Sequence, residues 1–151
     1  MAFFINMTRD ELSTILDQMA LLSKSSSSQG EIPVIAALYC PDGTVLYASN
    51  QVEEENDPFS HAEINVLRQG LKKYDSRYLK DCILIVSLEP CLMCLGAIIK
   101  AGIKNLYYVL DDPKLGGLSH YHAFVDDKIH VHRIDDIRFK PIMDEFFQKL
   151  R

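Results

Sequence analysis

Residues 82–88 read CILIVSL, a nearly unbroken apolar run held between Asp81 and Glu89. A strand that alternates polar and apolar side chains can leave one face in water, and this one cannot. It must be buried on both faces, so the fold needs covering layers above and below a sheet. At 151 residues the chain is one domain's worth, long enough to bury a genuine core without cross-links. It reads as a single domain over residues 1–151.

The rest of the chain supplies those layers. Thr8-Arg9-Asp10-Glu11 is a capping-box pattern, and Leu12, Ile15, Leu16 and Met19 follow at helical spacing, predicting a helix over about 9–23. SKSSSSQG, residues 23–30, reads as a flexible polar connector. IPVIAALY (32–39) and TVLYAS (44–49) are strand-like, with Cys40-Pro-Asp-Gly43 as the turn between them. QVEEENDPFS (51–60) is an acidic loop. Ser60 and Glu63 form a second capping box for a helix over 61–73, with Ile64, Leu67 and Leu71 as its apolar stripe and Val66 and Gly70 beside it.

After the 82–88 strand, a helix starts at Pro90 or Cys91 and ends at Gly102, since proline suits a first helical position. NLYYVL (105–110) is a strand, DDPKLGGLSHYH (111–122) a loop, KIHVHRI (128–134) an edge strand, and PIMDEFFQKLR (141–151) a closing helix. Strands alternating with helices give an α/β layered fold with a mixed sheet. The helices at 61–73 and 91–102 would cross one face, leaving their N-termini at the same sheet edge.

Composition narrows the function classes. Net charge is −5, so no global field draws the chain to nucleic acid or an acidic membrane. No apolar run approaches the length of a membrane span, and AFFI at the N-terminus is too short for a secretory signal, so the expected location is the cytoplasm. There the four cysteines, Cys40, Cys82, Cys91 and Cys94, make a poor disulfide framework, and a close pair points to metal binding or redox chemistry. Cys40 and Cys82 read as small buried apolar side chains.

Cys91 and Cys94 stand i, i+3 at a helix start, so both sulfurs share one face where the electropositive helix end favours thiolate. His61 begins another helix. If both helices start at one sheet edge, His61, Cys91 and Cys94 converge as three ligands, and three ligands with an open fourth position is the pattern of a catalytic zinc. Glu63 lies too far round its helix to complete the ligand set, but it can reach a water at the open position and move its proton. Competing readings are a redox dithiol, and a structural zinc closed by Cys40, Cys82 or a late histidine. A zinc-stabilised interaction module without catalysis is a further possibility.

The segments His61-Ala62-Glu63 and Pro90-Cys91-Leu92-Met93-Cys94 resemble the signature of the zinc-dependent cytidine/adenosine deaminase superfamily. Within it the chain is most similar to bacterial tRNA adenosine deaminases. Glu31-Ile-Pro-Val34, Asn50, Asp57-Pro58, Leu88-Glu89, Asp112-Pro-Lys114 with Gly116, and Phe146-Phe147 extend the likeness over nearly the whole chain. The resemblance implies a three-layer α/β/α sandwich around a mixed five-stranded sheet, assembled as a homodimer. It also implies one zinc per chain on His61, Cys91 and Cys94. Glu63 would protonate the ring nitrogen and then the leaving amine, Asn50 would contact substrate, and the Ala62 backbone amide would bond a base or water oxygen. Adenosine at a tRNA wobble position is the implied substrate. Glu53-Glu54-Glu55, where an RNA-binding relative is expected to be basic, favours the alternative of a free base, nucleoside or nucleotide such as guanine or cytosine.

Overall fold

The computed structural model describes residues 7–150. In chain order the elements are α1 (Arg9–Ser28), β1 (Ile35–Tyr39), β2 (Val45–Ser49), α2 (Val52–Glu55), α3 (Ala62–Lys73) and β3 (Ile83–Leu88). They continue with α4 (Leu92–Lys100), β4 (Asn105–Leu110), α5 (Gly117–Val125), β5 (His130–Arg133) and α6 (Phe139–Lys149). The strands form one mixed sheet in the order β2-β1-β3-β4-β5. β1 pairs antiparallel with β2 and β3, while β3, β4 and β5 run parallel. The three-layer α/β/α sandwich with a mixed five-stranded sheet is therefore as expected. Residues 1–6 and Arg151, which carry the reading of no secretory signal and the end of the last helix, lie outside the described residues.

β3 occupies the centre, and the alternation of its side chains divides two cores. Leu84 and Val86 pack with Ala36, Leu38 and Leu106 under α3 and α4. Ile83 and Ile85 pack with Ile35, Ala37 and Tyr39 under α1 and α6. This is the two-sided burial that CILIVSL demanded. β5 lies at the sheet edge with all four of its residues exposed, as the alternating 128–134 pattern predicted. Among the described residues no helix is long and apolar enough to cross a membrane.

Four expectations change. The serine run is not a flexible connector: α1 continues through Ser28, and Ser23 and Ser26 prolong its buried stripe. Ser23 Oγ donates to the buried carbonyl of Pro33 at 2.9 Å, so a small hydroxyl does what an apolar residue would do elsewhere on that face. The capping box at Thr8 and Glu11 forms as predicted. Residues 52–55 of the acidic loop make a short helix whose start is held by Glu31, with Oε1 and Oε2 accepting the N–H groups of Glu53 and Glu54 at 2.9 Å each.

The 111–122 loop gives way to α5, kinked at Tyr121, whose Val125 enters the core. The Gly-Gly pair and the histidines there hid any helical periodicity. Last, α3 is rotated from the predicted stripe. Ala62, Glu63, Val66, Leu67 and Gly70 are its buried residues, and Ile64 and Leu71 lie at the margin. Small residues allow this close seat, since a Cβ at Gly70 would stand 2.5 Å from Leu38 Cδ2.

The helical serine run carries a direct test. Ser23→Ala removes a buried donor and should destabilise the fold by about 1–3 kcal/mol in urea unfolding. Ser25→Ala, at an exposed position of the same helix, should be neutral or slightly stabilising. Two equal and negligible effects would return the segment to a loop.

Candidate metal centre and active-site pocket

Two helix starts meet at the end of β3. His61 is the N-cap of α3 and Cys91 the N-cap of α4, both with extended backbone and neither with a side-chain cap hydrogen bond. The Ser60–Glu63 capping box predicted from sequence is therefore absent. Ser60 Oγ instead donates to Glu55 Oε2 at 2.8 Å, and Glu63 turns inward. Asn65 fixes the approach to His61: its Nδ2 donates to Ser49 O and to Ser60 Oγ, each at 3.1 Å. The end of β2 is thereby tied to the turn that delivers the histidine.

His61 Nδ1 lies 3.6 Å from Cys91 Sγ and 3.5 Å from Cys94 Sγ. A tetrahedral zinc with Zn–S about 2.3 Å and Zn–N about 2.0–2.1 Å holds nitrogen and sulfur about 3.6 Å apart. The donor spacing thus matches a tetrahedral ion. Among the described residues this is the one cluster of three or more His, Cys, Asp or Glu side chains able to hold a metal, and Cys40 and Cys82 are not part of it. The reading of a structural zinc closed by either of those cysteines therefore has no support in the geometry.

The electrostatics favour a thiolate at Cys91. A hydrogen bond from Cys94, then contact with His61, pulls the Cys91 thiol down to about 4 against the opposing effect of burial. Cys94 is pushed up, first by its bond to Cys91 and then by burial. His61 is raised by its hydrogen bond to Cys91. Beside them Glu63 is 4% exposed, and its carboxyl is raised chiefly by burial. A carboxyl in that setting holds a proton more readily than one in water.

A cavity of about 220 Å³ opens above this cluster. Ile32, Val34, Leu88 and Leu115 form its apolar walls, and Asn50, Glu63 and Asp112 supply polar groups. Asn50 is buried and its Oδ1 has no hydrogen-bond partner. A buried acceptor left unpaired is costly, and here it belongs to a residue that lines the pocket. Ala62 is the first residue of α3 and lines the same cavity, and its N–H is one of the orphans of a helix start. Asn50, His61, Ala62, Glu63 and Cys91 thus line one pocket, and Cys94 lies behind it in the His61 cluster.

Sequence reasoning missed what holds the far wall. Glu89 is buried, and its carboxylate accepts the N–H of Asp112 at 2.7 Å, the N–H of Ser119 at 2.9 Å and the Ser119 hydroxyl. The 112–119 segment, which carries Asp112 and Leu115 into the pocket, is therefore fastened to the residue two before Cys91. Gly116 makes this closure possible, because a Cβ there would lie 2.1 Å from Glu89 Cδ. The available signal was an acid ending an apolar strand directly ahead of Pro-Cys. Nothing local marked Asn65 or Glu31, which act on segments distant in sequence.

A family model for MafB19-like deaminases matches residues 11–151. The chain belongs to that family. It is a member of the zinc-dependent cytidine deaminase superfamily, closely related to bacterial tRNA adenosine deaminases. It is 31% identical over 134 residues to the tRNA-specific adenosine deaminase of Aquifex aeolicus, covering 85% of this chain and 89% of that protein. A solved tRNA:A34 deaminase superposes with a TM-score of 0.74 at 33% identity, over 82% of this chain and 99% of the other. The guanine deaminase of Bacillus subtilis superposes with a TM-score of 0.61 at 32% identity, over 82% and 72%. This member of the family is a zinc-dependent deaminase acting on a nucleobase or nucleoside moiety.

Two outcomes check the site. The purified deaminase should carry about one zinc per chain, and His61→Ala or Cys94→Ala should lose it, as read by metal analysis. Gly116→Ala should keep its zinc, because it disturbs the wall and not the ligands. Its kcat/KM for ammonia release should nevertheless fall at least about tenfold, equivalent to roughly 1.4 kcal/mol.

Proposed function

We propose that this deaminase removes the exocyclic amine of adenosine, with the tRNA wobble position as the leading substrate, and that it works as a homodimer. The observation that carries the chemistry is the meeting of three ligand atoms at tetrahedral spacing with a buried, proton-holding Glu63. The likeness to a tRNA:A34 deaminase over 99% of that chain supports the substrate. The cavity agrees in scale: about 220 Å³ is below the roughly 300–1,000 Å³ of pockets for drug-sized ligands. It takes one ring system and leaves the remainder of a larger substrate outside, as base flipping requires.

In this reading His61, Cys91 and Cys94 hold the zinc. When bound, the ion supplies Lewis-acid charge that lowers the pKa of a coordinated water from about 15.7 to about 7. Glu63 accepts a proton, delivers it to the ring nitrogen and later protonates the departing amine. Asn50 Oδ1 accepts from the substrate, the Ala62 N–H donates to a base or water oxygen, and Ile32, Val34, Leu88 and Leu115 exclude bulk water from the ring.

A second reading, a free base or nucleoside as substrate, is favoured by the rim. α2 follows Asn50 directly and is capped by Glu31, the neighbour of the wall residue Ile32, so Glu53, Glu54 and Glu55 are exposed beside the entrance. No Lys or Arg is among the residues lining the cavity. Acids at that position repel phosphates.

Glu63→Gln should retain zinc while losing about 10²–10⁴-fold in ammonia release; full activity would remove Glu63 from the mechanism. Inosine formation in a tRNA anticodon arm, compared with ammonia release from a panel of free bases and nucleosides, separates the substrates. Activity on the arm that falls steeply with salt supports the tRNA reading. Turnover of a free purine with no reaction on the arm overturns it in favour of the second.

A further inference from the structure

At the opposite end of β3 from the metal ligands, Cys40 and Cys82 stand side by side. β1 and β3 are antiparallel with Tyr39 opposite Ile83, so the next rung sets Cys40 against Cys82. The Cys40 N–H donates to Thr44 O and its carbonyl accepts from the Gly43 N–H, both at 2.9 Å. Both backbone groups of Cys40 therefore turn toward β2 and away from β3. That makes the rung a non-hydrogen-bonded one, where Cα atoms stand about 4.5 Å apart and side chains approach most closely. A disulfide needs Cα atoms about 4.4–6.8 Å apart.

The side chains meet as the backbone requires. Both thiols are free and buried in the core cluster that holds Leu38 and Leu84, so they project from the same face of the sheet. The Cys40 thiol donates to the Leu38 carbonyl at 3.7 Å. Access exists from one side: Cys82 lines a cavity of about 300 Å³ together with Asp42, Tyr74 and Tyr78. The Tyr74 hydroxyl donates to Asp42 Oδ1 at 2.9 Å at the edge of that cavity. None of these residues takes part in the deaminase site. The six residues of β3, rising about 3.3 Å each, separate the two sites by roughly 20 Å.

We infer that Cys40 and Cys82 form a reversible dithiol site, oxidised to a cross-strand disulfide by a small peroxide that enters through this cavity. One thiolate attacks the peroxide, breaking the O–O bond and giving a sulfenic acid with release of one water. The second thiol then forms the S–S bond and displaces the sulfenic hydroxyl as a second water. Overall the two thiols give up two electrons and two protons, and hydrogen peroxide is reduced to two waters. Cys82 lines the cavity, and the fully buried Cys40 stands behind it. A dithiol reductant reverses the link by exchange.

The test uses the reduced, zinc-loaded protein, exposed to a few equivalents of hydrogen peroxide and quenched with N-ethylmaleimide. Intact mass should fall by about 2 Da, and non-reducing peptide mapping should yield a Cys40–Cys82 cross-link. A chromogenic chelator should detect no released zinc, and dithiothreitol should restore the original mass. The oxidised form should unfold several degrees higher, because the link closes a loop in the unfolded chain. Cys82→Ala should abolish the cross-link and arrest any reaction of Cys40 at a sulfenic acid that dimedone labels. If that variant does not fold, the wild-type peptide map decides alone. Cross-linking confined to Cys91 and Cys94, or zinc release before any Cys40–Cys82 link forms, overturns the inference.

Discussion

The meeting of two helix N-termini at one end of a doubly buried strand is the constraint from which the remaining architecture of the site follows. A helix start carries roughly half a positive charge and several N–H groups without partners. α1 satisfies its start with a full capping box. α3 and α4 do not: their N-cap positions hold His61 and Cys91, neither of which makes a side-chain cap bond. Forgoing a good cap costs about 0.5–2 kcal/mol per helix. In return both helix ends face the ligand cluster, where their partial charges favour thiolates and, with zinc present, an ionised water. Local stability is given up at the two places where the chemistry needs positive potential.

Three buried carboxylates then build the pocket, and their surroundings assign different work to each. Glu31 and Glu89 are saturated by backbone N–H groups, the first holding α2 and the second the 112–119 segment. Their charge is spent on fastening loops that apolar packing alone would leave loose. Glu63 lacks such donors, and burial raises its carboxyl above the ordinary range. One residue type thus provides two structural clamps and one proton carrier, separated by how many donors each meets. The clamps also join the pocket to its metal, since Glu89 lies two residues from Cys91 and Glu31 beside the wall residue Ile32.

The chain length between these parts explains the division of labour along β3. Its C-terminal end delivers Glu89, Pro90 and Cys91 to the pocket, and its N-terminal end begins beside Cys82. The central strand therefore links two clusters of sulfur chemistry that share no contact. At one end the thiols meet an imidazole and a helix start; at the other they lie in the apolar core, with Cys82 at the edge of a cavity shared with Asp42 and Tyr74.

The amino-acid sequence by itself determined the layered α/β class, all five strands, and the His61, Cys91 and Cys94 cluster that could hold a metal. Those signals are local: a two-faced apolar run, alternation, capping residues, and an i, i+3 cysteine pair depend on near neighbours. The helical extension through Ser28 and the helix at Gly117–Val125 were not legible, because serine, glycine and histidine carry no apolar periodicity. Burial of Ser23 and Val125 against distant partners is what makes those segments helical. The Ser60–Glu63 box looked local but lost to tertiary competition, as Ser60 turned to Glu55 and Glu63 to the interior. Only the tertiary structure decided that Asn50 would face the pocket unpaired, that Glu89 would clamp the far wall, and that Cys40 would meet Cys82. Each joins segments tens of residues apart, and such meetings are fixed by how strands pair and helices cross, which no short window of sequence encodes.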